Sequence, residues 1–118
     1  MLLKANIPEW AYRTLAGIAE RQKSPLAEVI CTTITYAYGS SRQIHGPTLG
    51  PTRGVDIQFG QIFCEELSRE CEIQQRALQE YLGALASSAE AMAEAEDYFR
   101  RQALVRSQVD LILEDEVA

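Results

Sequence analysis

The sequence predicts a mainly α-helical protein: a short N-terminal strand and two helices, then a C-terminal helical hairpin. Three observations carry that reading. Residues 2–7 alternate between apolar and polar, residues 9–38 and 55–113 carry one-sided apolar stripes at helical spacing, and a Gly/Pro-rich stretch separates the two halves. At 118 residues, with 47% hydrophobic and 24% charged side chains, the chain has an ordinary globular composition and room for one domain plus a helical appendage.

The strand pattern places Leu3, Ala5 and Ile7 on one face and Leu2, Lys4 and Asn6 on the other. Pro8 ends it and suits the first turn of a helix. Trp10, Leu15, Ile18 and Ala19, flanked by Ala11 and Tyr12, then form an apolar stripe that closes near Gln22. Ser24 is a preferred N-cap, Pro25 suits the first helical position, and Glu28 adds negative charge where the helix dipole favours it. The second helix, about residues 25–38, turns Leu26, Val29, Ile30, Thr33, Ile34 and Ala37 inward. Its run Thr32-Thr33-Ile34-Thr35 is a poor intrinsic helix former, so burial must hold it.

Residues 39–54 contain four glycines and two prolines, the composition of a linker or a long irregular loop. The expected organisation is therefore a unit over 1–38, a linker over 39–54 and an acidic helical hairpin over 55–118. In the last segment Val55, Phe59, Ile62, Phe63, Leu67, Cys71, Leu78, Leu82 and Leu85 predict one long helix over about 55–86. Ser87 and Glu90 have capping-box spacing and would start a second helix over about 88–113, with Met92, Ala95, Phe99, Leu104 or Ala103, Val109 and Leu113 on its apolar side. Glu114-Asp115-Glu116 reads as a frayed tail.

Charge divides along the same line. The net charge of −6 is the sum of +3 over residues 1–54 and −9 over residues 55–118, so only the first half is a candidate for nucleic acid. No run approaches the ~18 apolar residues of a membrane span, and no secretory signal is evident. A cytoplasmic, non-membrane protein is expected. Cys31, Cys64 and Cys71 have no metal-ligand spacing. Cys64 and Cys71 lie seven apart on one helix face, roughly 10 Å, too far for a disulfide within that helix. They read as small buried hydrophobes.

Catalytic constellations are not found in the sequence. His45 is the single histidine and sits in the Gly/Pro stretch, which leaves Ser-His-Asp and Cys-His arrangements without a base. Glu65, Glu66, Glu70, Glu94 and Asp97 lack the Glu-x-x-His pairs of a di-iron bundle, and residues 46–52 lack the Gly-Lys-Ser/Thr ending of a phosphate-binding loop. No enzyme activity, cofactor or metal is expected.

The first 38 residues nevertheless carry a specific pattern. Ile7-Pro8-Glu9, then Leu15, Ile18 and Ala19, then Ser24-Pro25 before Glu28-Val29-Ile30, and finally Ile34, resemble the ribbon–helix–helix family of DNA-binding repressors. The resemblance covers about a third of the chain. It implies a homodimer in which the strand pairs with its copy, since an isolated strand of six residues is not stable. It further implies that the two-stranded ribbon enters the major groove, with Leu2, Lys4 and Asn6 toward the bases and Ile7, Leu15 and Ile34 in a shared core. Lys4 can donate to guanine and Asn6 can pair with adenine. Amides around Ser24, Pro25 and Leu26, beside Lys23, would hold a backbone phosphate.

The expected function is thus a dimeric, DNA-binding transcriptional regulator whose hairpin binds another protein or extends the oligomer. The alternatives are an antitoxin, a phage-type inhibitor acting through the acidic hairpin, and a dimeric adaptor that binds no DNA.

Overall fold

The computed structural model describes residues 1–40 and 50–117, with the backbone alone over 107–117. Its elements run β1 (Leu2–Pro8), α1 (Glu9–Gln22), α2 (Leu26–Gly39), β2 (Thr52–Gln58), α3 (Gln61–Gln74), α4 (Leu78–Ala86) and α5 (Ala89–Val117). The chain is mainly helical, and it begins with the strand–helix–helix order that the sequence predicts. His45 lies outside the described residues.

Local signals explain the first half. Pro8 at φ −54° and ψ 141° leads into α1, whose buried side is Ala11, Leu15, Ile18 and Ala19. Trp10, expected on that apolar stripe, is 56% exposed instead, because it lies on the far side of the helix from Ala11 and Leu15. Helix α1 ends at Lys23, which adopts the left-handed conformation (φ 51°, ψ 43°) and donates its amide back to the last turn. A lysine tolerates this geometry at a cost that glycine would avoid. Pro25 rather than Ser24 is the N-cap of α2, and Ser24 spends its hydroxyl on Gln22 O at 3.2 Å. Within α2, Val29, Ile30, Thr33, Ile34 and Ala37 are buried, and the Thr33 hydroxyl donates to Val29 O at 2.8 Å, which satisfies it inside the core.

The second half departs from the expected long helix. Residues 52–58 form a strand, Gly60 in extended conformation (φ −66°, ψ 152°) caps the start of α3, and a second break at Gln75 separates α3 from α4. Val55, Phe59 and Ile62 fit a helical period, but Val55, Ile57 and Phe59 fit a period of two equally well. Strand wins because β1 needs a ladder. Its partner is therefore β2 of the same chain, not a second copy, antiparallel with Leu3 opposite Ile57, Ala5 opposite Val55 and Ile7 opposite Arg53. At Gln75 the backbone again turns left-handed (φ 55°, ψ 42°), and the amides of Gln75 and Arg76 return to Glu72 O and Cys71 O. Ile62, placed on the apolar stripe from sequence, is 76% exposed; Cys64, Leu67 and Cys71 form the buried side of α3. Ser88 caps α5 by accepting the Ala91 amide at 3.3 Å, while Ser87 closes α4. Helical backbone continues through the expected frayed tail to Val117.

One hydrophobic core draws on both sides of the 41–49 segment. Ala5 and Ile7 of β1, Leu15 and Ile18 of α1, and Ile30 and Ile34 of α2 are buried together with Leu82 and Leu85 of α4 and Ala91 and Met92 of α5. Arg21 donates to both oxygens of Glu96 at 2.9 and 3.2 Å, tying α1 to α5, and Gln22 adds a third bond at 3.2 Å. No helix of the described residues is long and apolar enough to cross a membrane.

Candidate nucleic-acid interface

The β1–β2 register decides which side chains share the outer face of the ribbon. In an antiparallel pair, directly opposite residues lie on the same side. Leu3, Ala5 and Ile7 face the core with Ile57 and Val55, which leaves Leu2 beside Gln58, Lys4 beside Asp56 and Asn6 beside Gly54 on the other side. The predicted trio Leu2, Lys4 and Asn6 is thus brought together. Leu2 and Lys4 are exposed, whereas Asn6 is half-buried.

Neighbours constrain this face. The Lys4 side chain lies across Gly54, where a Cβ would come within 2.5 Å of its Cε. The Asn6 amide donates to Gln79 Oε1 of α4 at 3.4 Å. Asp56 sets a carboxylate directly across the ribbon from Lys4, so the formal charges of that cross-strand pair cancel. Gln58 and Asp56 were beyond the reach of a reading that made residues 55–86 a helix. The signal that could have found them is the alternation Val55-Asp56-Ile57-Gln58 itself.

The edge of the ribbon is equally informative. Glu9 donates its amide to Pro51 O and Phe59 donates to Met1 O, both at 3.0 Å, at the two ends of the ladder. That register engages the odd-numbered residues of β1 with β2, so Asn6 points its backbone N–H and C=O to the opposite edge. Helix α4 lies there. Gly83 packs so closely that a Cβ on it would sit 1.7 Å from the Asn6 carbonyl oxygen. The helix therefore covers the outer edge of β1, which would otherwise be open to pairing.

The second predicted group, Lys23, Ser24, Pro25 and Leu26, sits together at the α1–α2 turn. Lys23 and Pro25 are exposed, Ser24 and Leu26 half-buried. Three of its four residues offer no backbone N–H to an anion: Lys23 donates its amide to Glu20 O at 3.3 Å, Ser24 donates its own to Ala19 O at 3.0 Å, and Pro25 has none. The first-turn amides left for a phosphate are those of Leu26 and Ala27.

Elsewhere, Arg53 is committed to the fold. Its guanidinium meets Glu9 at 2.7 Å and stacks 4.2 Å from the centre of the Tyr12 ring, anchoring the start of β2 to α1. Among the described residues no group of three or more His, Cys, Asp or Glu side chains could hold a metal ion. Cys64 and Cys71 are buried free thiols in α3, Cys31 is half-buried, and burial pushes the Cys31 and Cys71 thiols up. No family model matches the chain, and neither a curated protein nor a solved structure matches it.

Proposed function

We propose that the protein is a ribbon–helix–helix-like transcriptional regulator whose ribbon is built from two strands of one chain. The observation that carries the reading is the outer ribbon face, where Leu2, Lys4, Asn6 and Gln58 stand side by side over a buried core face. A two-stranded ribbon is a known fit to the major groove, and lysine, asparagine and glutamine are base-edge readers. Lys23, with the amides of Leu26 and Ala27 behind it, would hold a flanking phosphate.

The test is selection of DNA fragments from a random pool at moderate salt, followed by binding measurements on the enriched site. Lys4→Ala and Asn6→Ala should each cost about 1–3 kcal/mol on that site and relax its selectivity. Lys23→Ala should weaken all sequences alike and flatten the salt dependence. Selection without enrichment of any sequence rejects the reading.

A second reading is a dimeric adaptor that binds no DNA. Two observations favour it: Asp56 opposes Lys4, and α4 broadens the ribbon along its β1 edge. An acidic side chain repels phosphates, and a groove about 12 Å wide admits a ribbon more easily than a ribbon with a helix alongside. In that case Asp56→Asn would leave DNA binding negligible, whereas in a DNA-binding protein it should tighten binding to every sequence.

A further inference from the structure

The fold treats the two edges of the ribbon differently. Helix α4 lies along the outer edge of β1, whereas β2 presents its outer edge to solvent over most of its length. At one end of the ladder the Met1 amino group donates to Phe59 O at 2.9 Å and Phe59 donates back to Met1 O at 3.0 Å; at the other, Glu9 donates to Pro51 O. Odd-numbered residues of β2 therefore bond to β1. The even-numbered Thr52, Gly54, Asp56 and Gln58 turn their backbone groups the other way.

At Gln58 that edge is occupied, because α2 brings the Cys31 thiol to 4.0 Å from the Gln58 carbonyl oxygen. Thr52, Gly54 and Asp56 are exposed, and among the described residues none of their outward N–H and C=O groups has a hydrogen-bond partner. No proline and no bulge interrupts the strand between Thr52 and Gln58 to discourage pairing.

We propose that the outer edge of β2 is a self-association site whose occupant is β2 of a second copy, paired antiparallel with Gly54 on the two-fold axis. The edge is its own complement. Three residues each offer one donor and one acceptor about 6.8 Å apart, and centring on Gly54 is the register in which a second copy engages all of them. That register sets Thr52 opposite the partner's Asp56, a hydroxyl against a carboxylate, and Arg53 opposite the partner's Val55, so no like charges meet across the seam. The resulting sheet runs β1-β2-β2-β1, and α4 covers both of its outermost edges, which closes the assembly at two copies. Four strands span about 14 Å between the outer two, more than a major groove about 12 Å wide, so this dimer and a groove-bound ribbon exclude one another. The inference does not rest on DNA binding, and its failure leaves that reading untouched.

The test uses the full-length protein without DNA, with far-UV circular dichroism confirming that each variant is folded. Sedimentation equilibrium at low salt should show a monomer–dimer equilibrium. Amide exchange followed residue by residue should show Gly54 and Asp56 protected at high concentration and exchanging on dilution, while Val55 stays protected throughout. Thr52→Lys should lower the dimer Kd about two- to thirtyfold and Thr52→Asp should raise it by a similar factor, because each meets the partner's Asp56 twice per dimer. Adding Asp56→Asn to both variants should remove most of the difference between them. A wild type that stays monomeric at about 200 µM overturns the proposal. Protection of the Gly54 and Asp56 amides in a monomer does so too, since the chain would then cover its own edge. A dimer in which those amides exchange freely, or whose Kd is the same for both Thr52 variants, likewise rejects it.

Discussion

Gly83 offers a test whose sign, not only its size, depends on the packing of α4 against β1. In a helix interior, alanine is normally better than glycine by about 1 kcal/mol, so Gly83→Ala judged by propensity alone is stabilising. The structure predicts the reverse. The new Cβ would lie 1.7 Å from the Asn6 carbonyl oxygen and 2.7 Å from its carbon, both backbone atoms that cannot rotate aside. A carbon–oxygen contact needs roughly 3.3 Å, so the helix must back away from the 1.7 Å position by about 1.6 Å. Leu82 and Leu85, now 0% and 1% exposed, would be partly uncovered. Losing half the burial of these two side chains costs about 1.5–3 kcal/mol, and residual overpacking adds about 1–3 kcal/mol. After the gain in propensity of about 1 kcal/mol, a net loss of about 1.5–5 kcal/mol remains. Urea unfolding followed by far-UV circular dichroism measures it as a lower midpoint at unchanged slope. A midpoint equal to or above that of the wild type would refute the close approach of α4 to Asn6.

Three further outcomes follow from the same structure. Leu82→Ala should cost about 2–5 kcal/mol and shift the fluorescence transition of Trp10 together with the circular dichroism transition, because one core spans both halves; transitions that separate would show two independent units. Ala5→Pro removes a β1 donor to β2 and should cost about 3 kcal/mol or more, read as loss of the urea midpoint; a variant of wild-type stability would contradict the ladder register. The hydrogen bonds and charge of Arg21 hold the Glu96 carboxyl below the usual carboxylate range. A depressed carboxylate contributes stability that is full above its unfolded value and lost as pH falls through its folded value. The advantage of wild type over Glu96→Gln should therefore be present at neutral pH and vanish in acid, and an advantage that persists or grows there contradicts the pairing.

The first half of the fold was legible because punctuation and periodicity agree there. Pro8 and Ser24-Pro25 mark the starts of α1 and α2, and the stripes at Leu15, Ile18, Ile30 and Ile34 match the buried faces. The second half was misread where two periods coincide. Val55 and Phe59 serve both a helix and a strand, and only a partner elsewhere in the chain breaks the tie. The α3–α4 break was illegible for a different reason: Gln75 takes a left-handed conformation that sequences usually signal with glycine or asparagine. For the candidate site, alternation alone grouped Leu2, Lys4 and Asn6 on one face. Asp56 and Gln58 required the second strand, and the contact of Asn6 with Gln79 required the path of α4.

The pairing of β1 with a strand that begins 44 positions after it ends bears on the order in which the chain can assemble. As the polypeptide emerges during synthesis, β1, α1 and α2 are complete before β2 exists, and the helix that shields the other edge of β1 comes later still. Helices built from local contacts form early, whereas this strand must wait for a distant partner. During that interval both edges of β1 carry unpaired backbone groups beside the apolar Leu3, Ala5 and Ile7, the features that invite pairing with another nascent chain. The intramolecular ribbon thus trades a concentration-dependent step for a waiting time. A stall that leaves β1, α1 and α2 outside the ribosome while β2 is still within its exit tunnel is the point at which the growing chain is most open to aggregation.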